Sequence, residues 1–223
     1  MKKLIKKHIK AIATVDESHK LLALLLLADL AFISIHCLFI AGILSGPSYS
    51  IEVDLGFAEI YQYIKEFWII VLLLLLAIKE RHFTYLLWSL LFVFLLLDDS
   101  FTIHEEYGEY LSNYFEFKPM FNLRAKDFGE LVVSLFSGFI LLTSIGVSLL
   151  FSDNLAKQTS KKLFFLLIML AFFGVFVDML HVALPLGKSI LGLIEDGGEM
   201  IVISITVWYT FGIETSQENL SDI

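Results

Sequence analysis

Six long apolar runs, separated by short polar segments, make up most of the chain. Each run reaches or exceeds the roughly 20 residues that a helix needs to cross a hydrocarbon core about 30 Å thick. Inside a bilayer the backbone polar groups must bond within their own segment, so helices are the expected conformation. The pattern predicts transmembrane helices at residues 21–44, 59–78, 83–104, 127–151, 162–184 and 188–213.

The predicted fold is all-α, a polytopic membrane helix bundle of about six transmembrane helices. Residues 79–82 and 185–187 are too few for anything but tight turns between neighbouring helices. Residues 21–213 therefore form one six-helix domain. A basic segment at 1–20 precedes it and a tail at 214–223 follows it.

Lysine and arginine predict the orientation, because these residues concentrate on the cytoplasmic side of membrane proteins. With the N-terminus inside, 11 of the 16 basic residues fall on the inner side and 5 on the outer side. Both termini are therefore predicted to be cytoplasmic. The five assigned to the outer side and its helix ends are Lys65, Lys118, Arg124, Lys126 and Lys188.

Composition agrees with a membrane protein and excludes other classes. Hydrophobic residues are 57% of the chain and charged residues 18%, below the roughly one quarter of soluble domains. The net charge of -8, without a basic stripe beyond the N-terminus, excludes nucleic acid as a partner. Cys37 is the single cysteine, so no thiolate metal site is possible. We expect a multi-pass protein of the plasma or inner membrane whose partner is the lipid bilayer, with its oligomeric state undetermined.

Ionisable residues of several predicted helices lie at similar depth in the outer half of the membrane. This follows from the predicted orientation and a rise of about 1.5 Å per residue. Glu195 and Glu199 share a helix face at i,i+4, and Asp178 and His181 do so at i,i+3. Gly197 and Gly198 permit close approach of another backbone or a local break in the helix. The polar layer contains His36, Asp98, Glu130, Asp178, His181, Glu195, Asp196 and Glu199.

One segment after the third apolar run is especially acidic. If the third helix continues to Glu109, then Asp98, Thr102, Glu105 and Glu109 form a single stripe at steps of 4, 3 and 4 residues. On that continuous helix Asp99 and His104 would point elsewhere. Carboxylates cannot face lipid cheaply, so the stripe is expected to face the bundle interior.

Several carboxylates packed at low dielectric require either protons or a cation. Carboxylate and imidazole ligands suit zinc, manganese or iron, so we predict a divalent metal cofactor. The Glu-x-x-His signature of bundle dimetal sites is absent, and residues 178–181 come nearest to it. The predicted metal ligands are Asp98, Asp178, His181, Glu195 and Glu199. Candidate general bases are Glu105 and Asp99, and further polar-layer candidates are His36, His104, Glu130 and Asp196.

Each signal also has a structural interpretation. Asp98 and Asp99 could form a solvated helix end, and Asp178 with His181 a hydrogen-bonded pair between helices. Asp29, in the inner half, favours an interhelical contact, and a packed side chain is the default interpretation of His36.

Three functions therefore stay open at this point. The leading hypothesis is a metal-dependent hydrolase acting on a lipid or amphiphile in the outer leaflet. The alternative is a cation or proton transporter, in which Asp29 and His36 extend the route toward the cytoplasm. The third is a non-catalytic membrane sensor or assembly subunit, in which the polar layer only ties helices together.

Overall fold

The prediction of an all-α fold is confirmed. A computed structural model describes residues 2–184 and 188–221, with side chains described for 18–184 and 189–213. Helices and the loops between them account for these ranges, which contain no strand. The predicted turn at 185–187 lies outside the described residues, as do residues 222–223 of the tail.

The described part of the chain forms eight α-helices in sequence. A short 3₁₀ turn at Pro47–Tyr49 lies in the first loop, and a π-helical segment at Phe172–Val177 joins the sixth and seventh helices without a break. The helices are α1 (Lys2–Ile40), α2 (Phe57–Glu80), α3 (Phe83–Phe101), α4 (Ile103–Tyr114), α5 (Ala125–Leu149), α6 (Asn154–Ala171), α7 (Asp178–Ala183) and α8 (Lys188–Ser221).

Five helical stretches are long and apolar enough to cross a membrane, which indicates a membrane protein. The first half of α8 carries three acidic residues, and α8 is not among the five. The count of six spans and the inside position of both termini therefore stay predictions. The five stretches in the described ranges are Ser18–Ile40, Phe57–Glu80, Phe83–Phe101, Ala125–Leu149 and Asn154–Ala183.

The apolar core surrounds α2 and α3, which pack along each other as a hairpin. Ile69 and Leu73 of α2 meet Trp88 and Phe92 of α3, and all four side chains are almost fully buried. The indole N–H of Trp88 donates to Ser160 Oγ at 2.9 Å, which joins α3 to α6 and satisfies the buried donor. The outer surface of the bundle is apolar as well, since α5 exposes large apolar side chains such as Phe139 along its length.

The acidic stripe expected on one continuous third helix is wrong. Helix α3 ends at Phe101, and Thr102 has a left-handed backbone with φ of 48°. This conformation is unfavourable for a β-branched residue, and it starts α4 in a new direction. The side chains before and after Thr102 therefore do not follow a single helical face.

Helices α4 and α5 touch through their backbones at two glycines. A Cβ atom placed on Gly129 of α5 would overlap the carbonyl group of Gly108 in α4. A Cβ on Gly108 would in turn overlap the backbone of Glu130. Small residues at a helix crossing permit this close packing, which holds α4 against the start of α5.

We expect Gly129→Ala to lower the melting temperature of the detergent-solubilised protein, because its methyl group would separate α4 from α5. Gly138→Ala in the same helix is the matched control, since a Cβ there meets nothing within 4 Å. The control is expected to match or slightly exceed the wild type, because alanine favours helix over glycine. Equal melting temperatures for the two variants would contradict this crossing.

Candidate functional site

A buried ion pair lies between α1, α2 and α8. Lys65 is 0% exposed, and its ammonium group donates to Asp29 Oδ1 at 2.9 Å. It also donates to the Met200 carbonyl at 2.8 Å and to Ser204 Oγ at 3.1 Å. Ser204 in turn donates to Asp29 Oδ2 at 2.6 Å. All three ammonium protons therefore have acceptors.

This pair confirms an interhelical contact for Asp29 and corrects the assignment of Lys65. The orientation count placed Lys65 at an outer helix end, whereas the side chain lies inside the bundle. Removing it from the outer total changes the count of 11 against 5 to 11 against 4, so the bias keeps its direction.

Glu66, the next residue, faces a different group of carboxylates. It is 1% exposed, and its carboxyl group is close enough to that of Asp99 to interact with it electrostatically. Glu199 of α8 is close enough to interact electrostatically with both. Gln62 donates to Glu199 Oε2 at 3.3 Å. We name Glu66, Asp99 and Glu199 the carboxylate cluster.

Asp98, Asp99 and His104 form a second group beside the carboxylate cluster, at the helix break. Each offers one ligand atom, and these atoms all lie within 4.8 Å of one another. His104 Nδ1 is 3.2 Å from Asp98 Oδ2, and the His104 backbone N–H donates to Asp98 Oδ1 at 2.8 Å. This hydrogen-bonding contact with Asp98 raises the pKa of His104 to about 9. We name these three residues the break triad.

The left-handed Thr102 explains why the break triad forms. On a continuous helix Asp99 and His104 were predicted to point away from Asp98. The break turns α4 so that Asp98 caps its N-terminus and His104 returns toward α3. That prediction for Asp99 and His104 is therefore wrong, because it assumed a straight helix through residue 102.

A third group joins α7 to α8. His181 Nδ1 lies 2.8 Å from Glu195 Oε2, and Asp178 is within electrostatic range of both. The structural interpretation gave Asp178 and His181 as a hydrogen-bonded pair between helices. In the structure the partner of His181 is Glu195 of α8 instead. Asp178 interacts electrostatically with Glu130 and Asp127 of α5.

Glu199 of α8 packs against the backbone of the π-helical segment at Gly174. A Cβ on Gly174 would overlap the carboxylate of Glu199, and a Cβ on Gly198 would overlap the ring of Phe173. Gly198 therefore accommodates a neighbouring side chain rather than a backbone, and α8 continues through Gly197 and Gly198 without the local break that was the other expectation. Single π-helical turns inside α-helices occur frequently at functional sites.

The remaining polar-layer residues have other partners. Nδ1 of His36 accepts from the Ile51 backbone N–H at 3.3 Å, while Nε2 is 3.8 Å from Glu52 Oε1. His36 therefore ties α1 to the first loop, which supports its interpretation as a packed residue. Asp196 lies within electrostatic range of Glu195 and Glu199.

Glu105, one of the two candidate bases, is held by an ion pair. Lys126 Nζ lies 3.3 Å from Glu105 Oε2 and 3.2 Å from Glu130 Oε1. The Glu105 side chain is 42% exposed, so it lies at the surface where α4 meets α5. Asp99, the other candidate base, lies in the break triad, where it is a potential metal ligand.

The five predicted ligands divide among these groups. Asp98 belongs to the break triad and Glu199 to the carboxylate cluster, while Asp178, His181 and Glu195 lie at the α7–α8 contact. Among the described residues, the break triad is the one set of three or more potential ligand groups whose ligand atoms all lie within 4.8 Å of one another. Joint binding of one metal by all five stays a prediction.

Sequence reasoning missed Glu66, although a signal was present. Glu59, Gln62 and Glu66 follow steps of 3 and 4 residues along the second apolar run. That spacing is one face of a helix, so an inward polar stripe could have been read from it. Lys65, the residue before Glu66, was considered only as a basic residue in the orientation count.

The fold and these sites define a helical membrane protein with ionisable groups buried between its spans. Residues 21–215 match the family described as a domain of unknown function, DUF8692, and the chain belongs to that family. Comparison with curated proteins and with solved structures gave no significant match.

We expect Lys65→Met to destabilise the protein by about 3–5 kcal/mol, because it leaves Asp29 charged and buried without its partner. The double variant Lys65→Met/Asp29→Leu is expected to regain most of that loss, since no buried charge is left unpaired. Lys157→Met, at an exposed lysine of α6, serves as the control. Unfolding in mixed detergent micelles measures all three. A double variant no more stable than Lys65→Met alone would exclude this coupling.

Proposed function

We propose that the protein binds a divalent cation within its helix bundle and uses it to hydrolyse a lipid or amphiphile. The observation that carries this proposal is the break triad, whose two carboxylates and one imidazole converge within 4.8 Å. Oxygen and imidazole ligands suit zinc, manganese or iron. A cation there would lower the pKa of a bound water and polarise a substrate carbonyl or phosphoryl oxygen.

The position of the break triad supports a substrate that reaches it from the membrane surface. Asp98 is 7% exposed, whereas the His104 side chain is 31% exposed. Buried Asp98 gives the break triad a low-dielectric environment, and the partly exposed His104 leaves a position that substrate can reach. The break triad lies at the end of an apolar span, so an amphiphile in the adjoining leaflet is the matching substrate class. By the basic-residue count this is the outer leaflet of a plasma or inner membrane.

We expect purified protein to carry at least one transition metal ion per chain by elemental analysis. Asp99→Asn and His104→Gln should each lose it, since each removes a ligand of the break triad. Glu106→Gln, at an exposed carboxylate of α4, is the control and should keep the metal. Chelation should abolish hydrolysis of detergent-solubilised lipid esters or phosphoesters. Folded wild-type protein that neither contains nor takes up metal would refute the proposal.

Proton or cation transport is the second candidate, supported by a chain of neighbouring ionisable groups. Lys65 donates to Asp29 and interacts electrostatically with Glu66, and Glu66 interacts electrostatically with Asp99. Such chains line proton routes in membrane proteins. The saturated hydrogen bonds of Lys65 favour a structural role for its end of the chain, so we rank transport below metal-dependent hydrolysis.

Flux in proteoliposomes separates the two functions. An enzyme is expected to show no ion flux and to tolerate Asp29→Asn in its hydrolytic activity, provided the variant folds. A transporter is expected to show flux that Asp29→Asn abolishes. Size-exclusion chromatography and melting temperature should accompany the variant, because Asp29 also holds the buried ion pair.

A further inference from the structure

We infer that a cavity between α1, α6 and α8 binds the anionic headgroup of a membrane phospholipid. The cavity lies where α6 begins, close to the first turns of α3, whereas the break triad lies at the far end of α3. The inference therefore does not depend on the proposed hydrolysis. The cavity volume of about 290 Å³ is near the lower limit of about 300 Å³ for ligand pockets, which suits a headgroup rather than a whole lipid.

Lys162 of α6 supplies a positive charge to this cavity. Its ammonium group lies 5.3 Å from the ring centroid of Tyr209 in α8, and none of the ion pairs between described residues involves it. The described residues that line the cavity include no carboxylate. An anionic ligand is therefore complementary in charge, and an ammonium group with three donors suits the oxygens of a phosphate.

The indole N–H of Trp208 adds a donor that lacks an acceptor. Trp208 lines the same cavity, and its Nε1 atom is buried without a hydrogen-bond partner among the groups that the structure describes. A buried donor left unpaired costs free energy, so such groups are rare in native structures. Because the indole nitrogen only donates, the partner it lacks is an acceptor such as a phosphate oxygen. Gln158, also in the lining, offers further amide donors.

The face of α6 that continues from Lys162 is apolar and exposed. Phe165, Ile168 and Phe172 follow Lys162 at steps of 3, 3 and 4 residues, so they lie on the same side of the helix. All three side chains are exposed. A cation followed by an apolar surface matches the two parts of a phospholipid, with the headgroup in the cavity and an acyl chain along the helix. A free phosphate ion would use only the first part.

The cavity lies where a membrane surface is expected. The candidate spans Ser18–Ile40 and Asn154–Ala183 both begin beside it, since Ser18 and Leu155 belong to its lining. Lysines are concentrated near these positions in the sequence, with six in residues 1–20 and three in residues 157–162. By the basic-residue count this end is cytoplasmic, where anionic lipids make the surface potential negative. Basic pockets between transmembrane helices on that side are typical sites for lipid headgroups.

The test measures phospholipid binding to the whole chain in detergent by native mass spectrometry. We expect anionic phosphatidylglycerol to bind more tightly than zwitterionic phosphatidylcholine. Lys162→Met should weaken phosphatidylglycerol binding about tenfold, and Trp208→Phe, which keeps a ring but removes the N–H donor, about fivefold. Lys161→Met is the matched control and should bind like the wild type, because this neighbouring lysine is exposed and does not line the cavity.

Three results would overturn the inference. Equal affinity for the two lipids would remove the requirement for an anionic headgroup. Equal losses in Lys161→Met and Lys162→Met, or wild-type affinity in Trp208→Phe, would show that surface charge attracts the lipid and that the cavity does not hold it. Displacement of phosphatidylglycerol by an equal concentration of inorganic phosphate would assign the cavity to a free anion. Melting temperatures establish that the variants are folded, as expected for Lys162→Met because Lys162 is exposed.

Discussion

Charge inside a low-dielectric bundle must be neutralised, and this constraint organises the interior. The clearest case is Lys65, which is fully buried and whose ammonium group finds a carboxylate, a carbonyl and a hydroxyl. The contact unites α1, α2 and α8 at one point. One helix turn of mispacking would leave a charge unpaired, so the pair specifies how these three helices align.

The same constraint leaves a contrast one residue away. Glu66 lies among other carboxylates, with no comparable set of donors in the described part of the chain. Lys65 is fully satisfied, whereas one carboxylate oxygen of the neighbouring Glu66 has no hydrogen-bond partner in the described part of the chain. Groups retained in an unsatisfied state are typical of sites that bind a cation or move protons.

Departures from regular helix occur where these groups meet. Thr102 breaks the third span beside Asp98 and Asp99, and the π-helical segment brings Gly174 to Glu199. The break at Thr102 places His104 beside Asp98, and the missing side chain at Gly174 leaves room for the Glu199 carboxylate.

The sequence by itself determined the class of protein and the identity of most polar residues inside it. Long apolar runs can be satisfied only by membrane helices, so the all-α fold followed from composition and length. Depth along each helix also identified Asp98, Asp178, Glu195 and Glu199 as residues of interest, because rise per residue is constant. Charge bias was misleading at Lys65, since a lysine count carries no information about burial.

Only the tertiary structure decided which of those residues meet. The break triad depends on the left-handed Thr102, which periodicity cannot predict because it assumes an uninterrupted helix. The position of Glu66 depends on the rotation of α2 about its axis, which is determined by packing against α3 and α8. Contacts between distant helices are set by such breaks and rotations, and a linear pattern records neither.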